Sequence, residues 1–115
     1  NGMHELALCE SMLRIIRGEA NTRRFLRVRA VTVELGAYCG VAPESLEFCF
    51  RVLTRGTLAD GARLDMVWLP GEAWCMHCGE TVTIKERYDS CPQCGSYELH
   101  ATGGQDLRIR DLEVE

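Results

Sequence analysis

The sequence has no long hydrophobic run and no excess of basic residues. Its 115 residues contain 13 Lys and Arg against 17 Asp and Glu, which gives a formal net charge of −4. A negative balance disfavours non-specific binding to the phosphate backbone of nucleic acids. No apolar stretch approaches the ~18 residues that a membrane-spanning helix needs, and the first residues lack the basic and apolar regions of a secretory signal. We therefore expect a cytoplasmic protein that binds neither nucleic acid nor membrane.

Cysteine, by contrast, is abundant, with seven residues in a short chain. Four of them form two C-x-x-C pairs, Cys75 with Cys78 and Cys91 with Cys94, and each pair is followed by a glycine that suits a tight turn. An odd total with paired spacing favours a metal site in a reducing compartment over a disulfide framework. Four thiolates bind zinc tetrahedrally and leave no open position for a substrate. An iron–thiolate site has the same spacing, and redox dithiols are the remaining alternative.

Outside the cysteine-rich segment, apolar periodicity predicts two helices and three strands. The second helix is expected to begin at Pro43, to bury Leu46, Cys49 and Phe50, and to end at a cap formed by Gly56. The segments, in chain order, are a helix over Glu5–Ala20, a strand over Phe25–Leu35, the helix from Pro43, a strand over Arg63–Leu69 and a strand over Leu107–Val114.

The first predicted strand has an irregular apolar pattern. Its apolar residues, Leu26 among them, occupy even positions as far as Ala30 and odd positions from Val31 onward. A regular strand alternates its side chains between two faces, so a bulge or a strong twist is expected at this point.

The order of these segments predicts an α+β fold. A small α/β domain of two helices and an approximately three-stranded mixed sheet would comprise residues 1–71 plus 104–115. A zinc-ribbon-like tetracysteine module, residues 72–103, would be inserted into it and flanked by Pro70-Gly71 and Gly103-Gly104.

Histidines and carboxylates elsewhere offer weaker candidate sites. His4 and Glu5 lie at the N-terminal boundary of the first predicted helix. They are either part of a solvated terminus or a weak divalent site, completed by backbone nitrogen, of the type that suits Ni(II) or Cu(II). His77 is an exposed turn residue or an additional ligand, and His100 is a surface residue or a ligand of a second site. Three single cysteines lack an accompanying histidine and acid, so nucleophilic catalysis is not predicted: Cys9, Cys39 and Cys49.

Several segments, taken together, resemble the HypA/HybF family of nickel metallochaperones of [NiFe]-hydrogenase maturation. The resemblance covers Met3 to Glu115 in one order. The segments that carry it are Met3-His4-Glu5-Leu6, Val33-Glu34-Leu35-Gly36, Pro43-Glu44-Ser45-Leu46, Glu47-Phe48-Cys49-Phe50, the two C-x-x-C pairs and Leu107-Arg108-Ile109.

The resemblance implies a nickel carrier rather than an enzyme. His4 would be the main ligand of Ni(II), the transient cargo, with Met3 contributing its backbone nitrogen and Glu5 a supporting or partner-contacting role. Zn(II) would be a structural cofactor on the four paired cysteines, Cys75, Cys78, Cys91 and Cys94. The implied partners are a HypB-type GTPase and the large subunit of [NiFe]-hydrogenase, with urease served in some organisms. The chain is expected to be a monomer or a weak homodimer.

The chain departs from the family pattern at its start. Family members begin at the methionine of the motif, whose free amine helps to bind nickel, whereas here Asn1-Gly2 precede Met3. These two residues are expected to be a remnant of expression. The alternative from another class is a zinc-ribbon adaptor that binds protein and has no nickel role, and a second rival is an iron–thiolate electron carrier.

Overall fold

Two α-helices and six β-strands form from residues 2–115, the range that the structure, a computed structural model, describes. At Gly2 and Met3 the description covers the backbone but not the side chains, and Asn1 lies outside it. No helix in this range is long and apolar enough to cross a membrane. The elements are α1 (Gly2–Arg23), β1 (Val28–Gly36), α2 (Pro43–Leu53), β2 (Arg63–Leu69), β3 (Gly71–Cys75), β4 (Thr81–Ile84), β5 (Leu99–Gly103) and β6 (Leu107–Val114).

The two helices pack against each other through their apolar faces. Cys9, Met12, Leu13 and Ile16 recur at helical spacing on α1 and are buried. α2 begins at Pro43, as predicted, because proline at the first helical position has the required φ and no N–H to satisfy. Its buried residues are Leu46, Cys49 and Phe50.

The predicted end of α2 was wrong. The helix is capped by Thr54, whose N–H and hydroxyl both donate to the Phe50 carbonyl, at 3.0 and 2.7 Å. Gly56, with φ 73°, lies beyond this cap in the following turn. The helix therefore ends at Thr54, two residues before the glycine that the sequence pattern made its cap.

The first sheet has the strand order β2-β1-β6. In the central strand, β1, Val28 and Ala30 are buried and so are Val31, Val33 and Leu35, so burial changes parity at residues 30–31 as the apolar pattern does. The bulge or strong twist expected at this point stays a prediction. Leu26 does not belong to this pattern: the strand begins only at Val28, and Leu26 is 86% exposed.

The cysteine-rich segment contains a second three-stranded sheet, in the order β4-β3-β5 with both pairings antiparallel. Ala73 on β3 lies opposite Val82 on one side and Ala101 on the other. Ala73, Val82 and Ile84 are buried on one face, together with Cys75 and Cys91. This small core gives the metal-site cysteines an apolar base. The three strands were not predicted.

The glycines flanking this segment lie where backbones come together. A Cβ on Gly104 would come within 2.8 Å of the Gly71 Cα atom, and Gly104 has φ 89°. The Gly104 carbonyl accepts a 2.8 Å hydrogen bond from the Tyr38 N–H. Glycine is required here both by the close approach and by the positive φ.

The chain comprises two compact units. Among the described residues, one consists of 2–33, Val41–Asp65 and Ile109–Glu115, and the other of Glu34–Gly40 and Met66–Arg108. The predicted α+β class, with two helices, small sheets and a tetracysteine module, is confirmed. The functional division into residues 1–71 plus 104–115 and residues 72–103 stays a prediction.

Candidate metal centre

The four paired cysteines meet at one point. The Sγ atoms of Cys75, Cys78, Cys91 and Cys94 all lie within 4.8 Å of one another. Cys75 and Cys94 are separated by 3.6 Å, and Cys78 and Cys91 by 3.9 Å. Metal–sulfur bonds of about 2.3 Å in a tetrahedron place the sulfurs about 3.8 Å apart. The cluster therefore has the dimensions of a tetrathiolate metal site.

Each cysteine pair is held by the same type of turn. The Gly79 N–H donates to the Cys75 carbonyl and the Gly95 N–H to the Cys91 carbonyl, both at 2.8 Å. Gly79 has φ 69° and Gly95 has φ 79°, which are conformations that glycine adopts without strain. The expectation that each glycine suits a tight turn is confirmed. The two matching turns direct their thiols towards the same point.

The cluster is buried on one side and exposed on the other. Cys75 is 0% and Cys91 2% exposed, and both pack into the core of the second sheet. Cys78 is half-buried and Cys94 is exposed. All four sulfurs are needed to complete a tetrahedron, so the site suits a structural ion and provides no open coordination position for catalysis.

The thiols do not ionise alike in the absence of metal. A hydrogen bond from the Cys78 N–H is the main reason that the pKa of Cys75 falls to about 7. The hydrogen bond with Cys75, followed by burial, raises the pKa of Cys78 to about 12. For Cys94 the Ser96 N–H favours the thiolate, but partial desolvation of the sulfur and its hydrogen bonds with Cys75 and Cys91 outweigh it and raise the pKa. A cation is what allows all four groups to be thiolates together.

The residues predicted to bind nickel lie on the first turn of α1. The His4 side chain is 51% exposed, and its Nδ1 atom is 3.5 Å from Oε2 of Glu5. Glu5 is 1% exposed, although it carries a carboxylate. Met3 contributes only its backbone to the described structure. The imidazole is therefore accessible, while the carboxylate beside it is enclosed by protein.

The partners of Glu5 come from the start of α2. Its Oε2 atom accepts a 3.2 Å hydrogen bond from the Ala42 N–H, and its Oε1 atom accepts one of 3.2 Å from the Ser45 hydroxyl. Burial raises the pKa of Glu5, but the hydrogen bonds from Ala42, from its own N–H, from His4 and from Ser45 outweigh it and lower the pKa overall. Sequence reasoning missed this arrangement because the partners are 37 and 40 residues away.

The remaining candidate residues lie outside the tetracysteine cluster. Neither His77 nor His100 belongs to a group of described residues that could hold a metal ion together, and both histidines are exposed. Cys9 and Cys49 are buried on the packed helices, as predicted for core residues, and Cys39 is half-buried.

Comparisons with known proteins agree over nearly the whole chain. The family model described as hydrogenase/urease nickel incorporation, metallochaperone, hypA matches residues 3–114. Hydrogenase maturation factor HypA of Azotobacter chroococcum mcd 1 is 51% identical over 113 residues, covering 98% of this chain and 100% of the relative. Hydrogenase maturation factor HypA 2 of Bradyrhizobium diazoefficiens is 50% identical with the same coverage.

Solved structures share the fold. The solution structure of the Ni metallochaperone HypA from Helicobacter pylori matches with a TM-score of 0.65 at 21% identity, covering 96% of each chain. A second solution structure, of HypA protein, matches with a TM-score of 0.67 at 22% identity, covering 98% of this chain and 97% of the other. The chain belongs to the HypA family of hydrogenase maturation factors, which are metallochaperones for nickel incorporation and not enzymes.

Proposed function

We propose that this chain binds Ni(II) at Met3-His4-Glu5 and delivers it for maturation of a [NiFe]-hydrogenase, with zinc on the four clustered cysteines as a structural cofactor. The observation that carries the nickel proposal is the exposed His4 imidazole on the first turn of α1. Family membership supplies the cargo, since the matching family is one of nickel incorporation.

The backbone at this turn suits nickel as well. The first four N–H groups of an α-helix have no carbonyl partner within the helix. α1 begins at Gly2, so the amides of Met3 and His4 belong to this first turn. Tetragonal and square-planar Ni(II) accepts imidazole and amide nitrogens. The His4 ring and the adjacent backbone nitrogens can therefore bind the ion without breaking the hydrogen-bond ladder of α1.

Such a site suits cargo that must be released. A few nitrogen ligands at a helix terminus can be exchanged one at a time with the ligands of an acceptor. Glu5 would support this site from its buried position beside His4. The alternative of a protein-binding adaptor requires no accessible imidazole at this position.

Zinc is proposed for the cysteine cluster because the site is a closed tetrathiolate with a structural place in the fold. Iron has the same ligand preference, and colour separates the two: a ferric tetrathiolate is red, whereas the zinc site is colourless. Metal analysis of the purified protein, with its visible absorption spectrum, tests this assignment. One zinc per chain without a visible band is expected, and stoichiometric iron would contradict it.

The proposed partners are a HypB-type GTPase and the large subunit of [NiFe]-hydrogenase, with urease as a further destination. The names of the relatives, hydrogenase maturation factors, support the hydrogenase, and the family description includes urease. We propose that the protein acts in the cytoplasm as a monomer or a weak homodimer.

The test is a calorimetric titration of Ni(II) into zinc-loaded chains. The compared chains are the 115-residue chain, a chain starting at Met3, and the latter with His4→Ala. The matched control is His100→Ala, which removes an exposed imidazole from β5. About one nickel per Met3-start chain, lost with His4→Ala and kept with His100→Ala, supports the proposal. Equal binding by all chains, or none, would place the adaptor function ahead.

A further inference from the structure

Glu5 connects the first turn of α1, where nickel binding is proposed, to the start of α2. It is 1% exposed, and both of its carboxylate oxygens are engaged by α2: Oε2 by the Ala42 N–H and Oε1 by the Ser45 hydroxyl. Oε2 also lies 3.5 Å from His4 Nδ1. One buried group therefore contacts the exposed imidazole on one side and a second helix on the other.

The contact supplies something that α2 lacks. Its N-cap residue is Ala42, which provides no side-chain oxygen, and no side-chain cap is formed within the helix. In a capping box the residue at the third helical position supplies a carboxylate that accepts the N-cap N–H. Here that position is Ser45, and Glu5 of α1 provides the carboxylate instead. A negative charge at this helix end is also favoured by the helix dipole.

We propose that Glu5 and Ser45 are positioning residues for nickel: the carboxylate caps α2 and thereby holds the His4 turn in the geometry that binds the ion. This inference rests on the proposed nickel role of His4. Both Glu5 oxygens accept hydrogen bonds from the start of α2, and these bonds hold the carboxylate in place beside His4. The proposed role of Glu5 is therefore to position His4. Ser45 gains a role in nickel binding although it lies 40 residues from Glu5 in the sequence.

Ser45 offers a cleaner test than Glu5, because a change at Glu5 alters a group beside the metal. In Met3-start, zinc-loaded chains, Ser45→Ala removes the hydroxyl that donates to Oε1 and leaves His4 and Glu5 in place. Ser45→Thr restores the hydroxyl. Ser11→Ala is the matched control, since it removes a serine hydroxyl from α1 that is paired with Arg14 rather than with Glu5.

The readouts are the Kd for Ni(II), the visible circular dichroism of bound nickel, and the thermal midpoint without nickel. Ser45→Ala is expected to weaken nickel binding about tenfold and to change the visible bands, which report the ligand geometry. Ser45→Thr should restore both, and Ser11→Ala should alter neither. If Ser45→Ala does not fold, Glu5→Gln, which keeps the shape and removes the charge beside His4, is expected to give the same loss of affinity.

Two contrary outcomes are distinguishable. If His4→Ala abolishes nickel binding while Ser45→Ala only lowers the thermal midpoint, the cap is purely structural and the inference fails with the nickel function intact. If His4→Ala binds nickel as tightly as the parent, the proposed function fails, and the positioning role fails with it.

Discussion

The tetracysteine cluster and the first turn of α1 arrange their polar groups in opposite ways. In the cluster, matching glycine turns direct four thiols inward and an apolar core covers Cys75 and Cys91. On α1 the imidazole of His4 faces solvent, and the charged partner, Glu5, is the buried group. A closed donor set suits retention of an ion, whereas an accessible ring with a buried support suits exchange. The two groups of side chains therefore differ as much in their exposure to solvent as in the type of ligand atom that they offer.

Removing one of the two buried cysteines should have the largest effect, because it should abolish metal binding at the cluster. Cys75→Ser is expected to reduce bound metal from about one ion per chain to near zero and to unfold the second sheet, because metal binding and folding are coupled. Metal analysis and far-UV circular dichroism measure both effects. Cys39→Ser, a half-buried cysteine outside the cluster, is the control. Full metal occupancy in Cys75→Ser would exclude the four-ligand site.

Acid should remove the stability that the Glu5 carboxylate contributes at the first turn of α1. Its folded pKa is lowered from the ordinary value of 4.5, so its stabilisation is fully present above that value and is lost as the pH falls through the lower, folded pKa. Urea unfolding of the parent chain and of Glu5→Gln, from about pH 7 to about pH 3, measures the free energy that depends on the Glu5 charge. The free-energy difference between the two should shrink in acid. A constant difference would mean that the charge of Glu5 contributes nothing.

A smaller effect is expected from straining one cysteine turn. Gly95 has φ 79°, and a Cβ there would meet no atom within 4 Å, so Gly95→Ala costs only backbone strain, about 1–2 kcal/mol. Gly61→Ala is the matched control, with φ 77° and the same open space. Both should lose similar stability in urea unfolding, but Gly95→Ala alone should speed metal transfer to a chelator. Equal transfer rates would show that the turn does not hold the ion.

The smallest effect is expected from a substitution in α1 that changes neither the cysteine cluster nor the first turn. Gly18 lies inside α1, and a methyl group added at its Cα would meet nothing within 4 Å. Gly18→Ala should stabilise the protein by about 0.5–1 kcal/mol, because alanine loses less backbone entropy in a helix. Thermal unfolding measures the gain, and nickel and zinc binding should be unchanged. Weaker nickel binding would mean that α1 must flex to take up the ion.

The sequence predicted those features that depend on local spacing. The bounds of β2 and β6, the start of α2 at Pro43 and the four metal-site cysteines all follow from patterns within a few residues. β3 and β4 were missed because they are five and four residues long, and alternation over so short a run is carried by Ala73 with Cys75 and by Val82 with Ile84. Cys75 was assigned to the metal site alone, so its place in the alternating pattern of β3 was overlooked.

The burial and hydrogen bonding of Glu5 could not be predicted for a different reason. Glu5 was placed at the proposed nickel site from its neighbour in the sequence, but its burial depends on Ala42 and Ser45, which only the packing of α1 on α2 brings near. Nothing local distinguishes this glutamate from a solvated one. The absence of a polar side chain at the N-cap of α2 was the available signal, and it indicates a missing partner without identifying it.

The uneven burial of the four cysteines has a kinetic consequence. A competing chelator replaces thiolates one at a time, and the sulfur it can reach is that of exposed Cys94, followed by half-buried Cys78. Cys75 and Cys91 become reachable only when the core formed with Ala73, Val82 and Ile84 opens. The residence time of the ion therefore depends on how often this small core opens, in addition to the strength of the metal–sulfur bonds and the geometry of the two cysteine turns.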